Sequence, residues 1–90
     1  MDFNNNVLIE DAVFVQEIDG EIMLLDMNTE NYFGLDPIAS DIWRLLREGK
    51  SIQDTYSVLL DVYDVDPETL KKDIETFVSS LIDNKLATLA

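Results

Sequence analysis

The stretch from Asn31 to Leu60, NYFGLDPIASDIWRLLREGKSIQDTYSVLL, constrains the fold most, because it ties a short aromatic strand to two capped amphipathic helices with little slack between them. Asp36-Pro37 predicts a helix start, with Asp as N-cap acceptor and Pro at a first-turn position that needs no N–H donor. Ile38, Ala39, Ile42, Trp43, Leu45 and Leu46 then recur at helical spacing, and Gly49 stands where a left-handed cap would end the helix. Ser51 opens a second helix with Asp54 at the capping-box position, and Ile52, Tyr56, Leu59, Leu60 and Tyr63 line its apolar face. Asp66-Pro67 repeats the start for a third helix, expected to run to about residue 84, with Val65 and Leu70 placed as a hydrophobic staple.

Upstream, Ala12–Ile18 and Glu21–Met27 are rich in β-branched and large apolar residues and flank Asp19-Gly20, a strong hairpin signal. Asn28-Thr29-Glu30-Asn31 makes a polar turn before Tyr32, Phe33, Gly34 and Leu35, so the sheet is expected to be a three-stranded antiparallel meander. Residues 1–10 are expected to be a tail that docks a few apolar side chains, with one domain over residues 11–90. Leu86–Ala90 is left as either a short returning strand or a loose end. Three strands followed by three helices define an α+β domain, and the short turn between the second and third helices resembles a helix-turn-helix with a small sheet in front.

Composition narrows the chemistry. The 90 residues contain no cysteine and no histidine, which removes disulfides, thiolate metal sites and imidazole catalysis together. Asp61, Asp64, Asp66 and Glu68 lie close together, but the glycine and terminal glutamate of a calcium loop are out of register, so no metal and no cofactor are expected. Neither an enzymatic activity nor a membrane span is expected, and the chain reads as a cytoplasmic protein. A net charge of -13 argues against nucleic acid even though the helix-turn-helix shape invites it, since Lys71, Lys72 and Lys85 sit beside Glu68, Asp73, Glu75 and Asp83.

Peptide binding fits better. Asn31, Tyr32, Phe33, Gly34 and Leu35 contain none of the Lys, Glu, Asp or Pro residues that usually protect a sheet edge, and in a meander this strand is an edge. On the third helix Leu70, Ile74, Phe77 and Leu81 form the core stripe, with Val78 and Ile82 to one side of it together with the stem of Lys71 and with Glu75 at the margin. An undefended strand beside this wide apolar face makes a groove for an extended peptide. Aspartate at Val78 or Ile82 is accordingly expected to weaken peptide binding while sparing the fold. The rival readings are a winged-helix nucleic-acid binder and a structural domain whose open edge pairs with its own copy in a homodimer.

The residues Asp19-Gly20, Met23-Leu24-Leu25-Asp26, Tyr32-Phe33-Gly34-Leu35-Asp36, Ile42-Trp43-Arg44-Leu45-Leu46, Gly49, Ser51-Ile52, Tyr63, Asp64, Asp66, Asp73, Phe77, Leu81 and Leu86 resemble, in this order and spacing, the PqqD-like family of precursor-peptide recognition elements. That resemblance implies a winged-helix-like domain that binds the leader of a ribosomally made precursor peptide and presents it to a modifying enzyme. It implies a leader strand added to Asn31–Leu35, beside the Lys71, Glu75, Val78 and Ile82 side of the third helix. The implied enzyme partner is a radical S-adenosylmethionine enzyme or a leader protease.

Overall fold

The computed structural model describes residues 1–90 and contains strands Val7–Ile9 (β1), Val13–Ile18 (β2), Glu21–Asp26 (β3), Asn31–Gly34 (β4) and Ala87–Leu89 (β5), with helices Pro37–Arg47 (α1), Ile52–Val62 (α2) and Pro67–Asp83 (α3). The fold is α+β: β2, β3 and β4 form an antiparallel meander, and β1 pairs with β5 in a separate two-stranded sheet.

Local chemistry sets the element ends. Asp19 and Gly20 both take positive φ, 53° and 82°, as a tight hairpin between β2 and β3 requires. The Asp36, Ser51 and Asp66 side chains accept from the backbone N–H of Ala39, Asp54 and Thr69, satisfying donors that each helix start leaves free. Gly49, at φ 96°, follows the last turn of α1 in the left-handed conformation that stops a helix.

One core joins the layers. Ile22 and Leu24 from β3 meet Ile42, Trp43 and Leu46 of α1, Ile52 and Leu59 of α2, and Leu70, Ile74, Val78 and Leu81 of α3. Trp43 is the largest of these side chains and its indole N–H has no hydrogen-bond partner. Orphaning such a donor costs about 1–3 kcal/mol, so the ring is held there by its apolar contact area. Sheet and helix are also joined by one buried hydroxyl: Ser40 Oγ accepts from the Ile22 N–H at 3.1 Å and donates to the Leu35 carbonyl at 3.3 Å.

The first ten residues are not a tail. Val7, Leu8 and Ile9 pair in register with Leu89, Thr88 and Ala87, and Val7 is buried in the core. The Phe3 and Asn5 carbonyls accept from the Gln53 and Ile52 N–H groups at 2.7 and 3.1 Å, closing the start of α2 from outside. The partner strand lies at the far end of the chain, so no local pattern could reveal the pairing. Deleting residues 1–9 should therefore lower the unfolding free energy by at least ~2 kcal/mol, the scale of one buried Val side chain. Urea denaturation measures this; a docked tail would change it by only a few tenths.

A polar bracket holds the hairpin tip against the helices. Arg44 on α1 is bonded to Glu17, to Asp41 at 2.8 Å and to the Gly20 carbonyl at 2.9 Å, while the Tyr63 hydroxyl donates to Asp41. That hydrogen bond, reinforced by burial and by the Asp41 charge, raises the Tyr63 pKa above its ordinary 10.0. A raised value in the folded state means that the contribution is complete below pH 10 and is lost as pH climbs through the raised pKa. Tyr63→Phe should cost about 0.5–1 kcal/mol at neutral pH, a partly solvated bond's share, and should flatten the alkaline decline of melting temperature.

Candidate peptide-binding groove

The meander leaves β4 at an edge, with β3 its sole hydrogen-bonded neighbour. The Leu35 N–H reaches the Ile22 carbonyl at 2.9 Å, and the register pairs Phe33 with Leu24. Antiparallel pairing alternates, so Phe33 turns its backbone groups toward β3 while Tyr32 and Gly34 turn theirs outward. The edge thus presents two N–H donors and two carbonyl acceptors at the spacing of an incoming strand. The N-terminal segment, the nearest candidate to cover this edge, is instead committed to β5 and α2.

Beside the edge runs a groove formed by two adjoining clefts of about 380 and 360 Å³. Asp36, Ala39, Phe77 and Ser80 line both. The first cleft is floored by Leu24, Phe33, Leu35, Leu81 and Leu86, with Gly34 and Asn84 at its margin. The second continues over Ile38 and Ile42 toward Asp73 and Thr76. The groove is an apolar trough with carboxylates at Asp36 and Asp73 and no cationic residue in its lining.

The groove is bordered by a different face of the third helix from the one its sequence suggested. Asp73, Phe77, Ser80 and Asn84 fall within about 60° of one another on a helical wheel, nearly opposite Lys71, Glu75, Val78 and Ile82. Lys71 instead places its ammonium 5.6 Å from the ring centroid of Phe3, which packs edge-on against Tyr56. Val78 is fully buried in the core, Ile82 packs against that core, and Glu75 lines a shallow polar depression with Lys72, Thr76 and Ser79. The apolar face is indeed wide, with Phe77 on one shoulder and Ile82 on the other, and it is the Phe77 shoulder that meets β4. Ala39, Ser80 and Asn84 were missed because small and polar residues carry no hydrophobic signal; the spacing of Asp73, Phe77, Ser80 and Asn84 was visible but looked like a solvated face.

Of the residues expected to form the site, Phe33, Gly34 and Leu35 line the groove and Asn31 and Tyr32 complete the adjacent strand, while the four on α3 lie elsewhere. No three or more Asp or Glu side chains converge as metal ligands, and no helix is long and apolar enough to cross a membrane.

Comparison with known proteins agrees with this architecture. Residues 21–87 match the family model described as coenzyme PQQ synthesis protein D (PqqD), and the chain belongs to that family. The solved structure of TbiB1 in complex with the TbiA(beta) leader peptide is 39% identical over 89% of this chain and 93% of TbiB1, with a TM-score of 0.84. A lasso peptide synthetase B1 complexed with the leader peptide is 28% identical, matches over 92% of this chain and 98% of its own, and also has a TM-score of 0.84. No curated protein sequence matches the chain.

The burial of Val78 reverses one expectation. Val78→Asp would place an unpaired carboxylate in the core, at a cost of at least ~3 kcal/mol, comparable to breaking a buried pair. The variant should lose its cooperative thermal transition or melt far below the parent, whereas Lys71→Glu should melt within a few degrees of it.

Proposed function

We propose that the chain is a non-catalytic leader-recognition protein: it binds the leader segment of a ribosomally made precursor peptide as an added strand on β4 and presents it to a peptide-modifying enzyme. The observation that carries this reading is the unpaired edge at Tyr32 and Gly34 lying directly beside an apolar groove. Main-chain bonds to the edge supply sequence-tolerant affinity, and alternate side chains of the added strand enter the clefts beside Phe33 and Phe77. The groove volume suits one or two large apolar side chains, and Asp36 and Asp73 favour a basic residue next to them. TbiB1 and the lasso peptide synthetase B1 are both complexed with leader peptides, which supports the same class of ligand here.

The partner is a leader protease or a radical S-adenosylmethionine enzyme, and the working compartment is the cytoplasm, where ribosomal precursors are made. A nucleic-acid role is disfavoured by the charge of -13 and by the acids interleaved with the lysines on α3. Ordering a flexible leader offsets about 2–5 kcal/mol of the gross interaction, so a Kd of about 0.1–10 μM is expected.

Titrating isotope-labelled protein with the leader half of the precursor encoded beside the gene should shift the amides of residues 31–36 and 73–84. Ser80→Trp, which fills the groove from an exposed position, and Phe77→Asp should each weaken binding about tenfold or more, as loss of a desolvated anchor does. Lys71→Glu should stay within twofold. Equal loss from Lys71→Glu and from Ser80→Trp would move the peptide to the opposite face of α3.

A further inference from the structure

The three-stranded sheet has helices on one face and nothing on the other. Strand alternation sends Val15, Ile22, Leu24 and Phe33 toward the helices and sends Phe14, Ile18, Met23, Leu25 and Tyr32 outward, with Gln16 beside Met23 and Glu21 beside Ile18 as the polar residues of that face. The register sets Phe14, Leu25 and Tyr32 side by side in one row across all three strands, with Met23 in the next row. Phe14, Ile18 and Tyr32 are each more than half exposed. An antiparallel sheet with one wet face normally alternates polar residues onto it, and a contiguous apolar face marks an interaction surface.

Charge says what covers it. Residues 1–43 contain ten Asp or Glu and no Lys or Arg. The charged side chains that the sheet itself places at its ends are therefore acids, Asp19 and Glu21 at the hairpin tip and Asp11 and Glu30 at the other end, all exposed. Arg44 of α1 reaches the tip from the helix side, where Glu17, Asp41 and the Gly20 carbonyl engage it. Two copies stacked through this face would bring these like charges together with no cation from the sheet to offset them. A partner with an apolar patch ringed by Lys and Arg would match both the centre and the rim.

We propose that this outer sheet face, centred on Phe14, Leu25 and Tyr32, is where the peptide-modifying enzyme docks, through an apolar patch with a basic rim. The inference rests on the leader-presenting role and adds the second of the two surfaces that role requires. The face runs up to the β4 edge, so a leader strand added there would extend it by one strand. Side chains of the leader that point away from the groove would then lie next to Tyr32, within the enzyme's footprint. Presentation would follow from placing the enzyme and the leader on one continuous sheet.

Binding of the purified modifying enzyme encoded beside the gene should be measured by titration calorimetry with the full chain, alongside leader binding by fluorescence anisotropy. Phe14→Asp should weaken enzyme binding at least tenfold, and Glu21→Lys at least threefold with a shallower salt dependence. Both should keep the parent's melting transition and a leader Kd within twofold. Enzyme affinity unchanged in folded Phe14→Asp, or no enzyme binding by the unaltered chain, overturns the proposal. A concentration-dependent dimer that Phe14→Asp dissociates also overturns it, by assigning the face to a second copy. Failure of the leader to bind the unaltered chain would instead remove the leader-recognition reading, and the enzyme titration would still decide the docking face.

Discussion

The Ser40 hydroxyl is the contact on which the groove depends. It sits on the first turns of α1, fully buried, and bridges the Ile22 N–H and the Leu35 carbonyl at the end of the β3–β4 pair. Both are backbone groups that a short sheet leaves unpaired when its strands run out, and either one buried without a partner costs about 1–3 kcal/mol. One small side chain therefore ties the sheet's end to α1 and sets the angle at which the strand leaves β4 for Asp36 and the helix. Since Asp36 and Ala39 line both clefts, the hydroxyl also fixes the wall of the groove. A larger or apolar residue at position 40 would move that wall while leaving α1 itself intact.

The groove and the outer sheet face share a physical basis. A three-stranded sheet of short strands has one face for its core, one face without cover and two edges. Here the inner face meets Trp43 and Leu46, the β4 edge lies beside an apolar trough, and the outer face keeps a row of large apolar side chains. No basic residue occurs before Arg44, so a second copy stacked on the sheet would meet like charge at both of its ends. The same acidity opposes the approach of nucleic acid, and it is the charge that the proposed basic rim of the enzyme would complement.

Much of the fold was legible because its signals are local. The Asp19-Gly20 turn, the two Asp-Pro starts, the Ser51 cap and Gly49 each act within four or five residues, and each element between them forms close to where those residues place it. The edge status of Asn31–Gly34 followed from the meander, since the last strand of three must be outermost. The pairing of β1 with β5 was not legible. It joins Val7–Ile9 to Ala87–Leu89, runs too short for a periodic signal, and is favourable only after the three helices have brought the chain ends together.

The sequence by itself determined that this is an α+β domain with an unprotected edge strand, a helix whose apolar face is wider than one contact needs, and no residue suited to thiol or imidazole chemistry. Which shoulder of α3 faces the edge was decided by the tertiary structure alone. A helical wheel fixes the angles between side chains but not the rotation of the helix about its own axis, and both shoulders carry an aromatic or aliphatic residue, Phe77 on one and Ile82 on the other. The rotation is set by the buried packing of Leu70, Ile74, Val78 and Leu81 against the sheet and the other two helices. Once the buried stripe is centred near Ile74 and includes Val78 rather than Phe77, Phe77, Ser80 and Asn84 turn toward β4 and Lys71 turns toward Phe3.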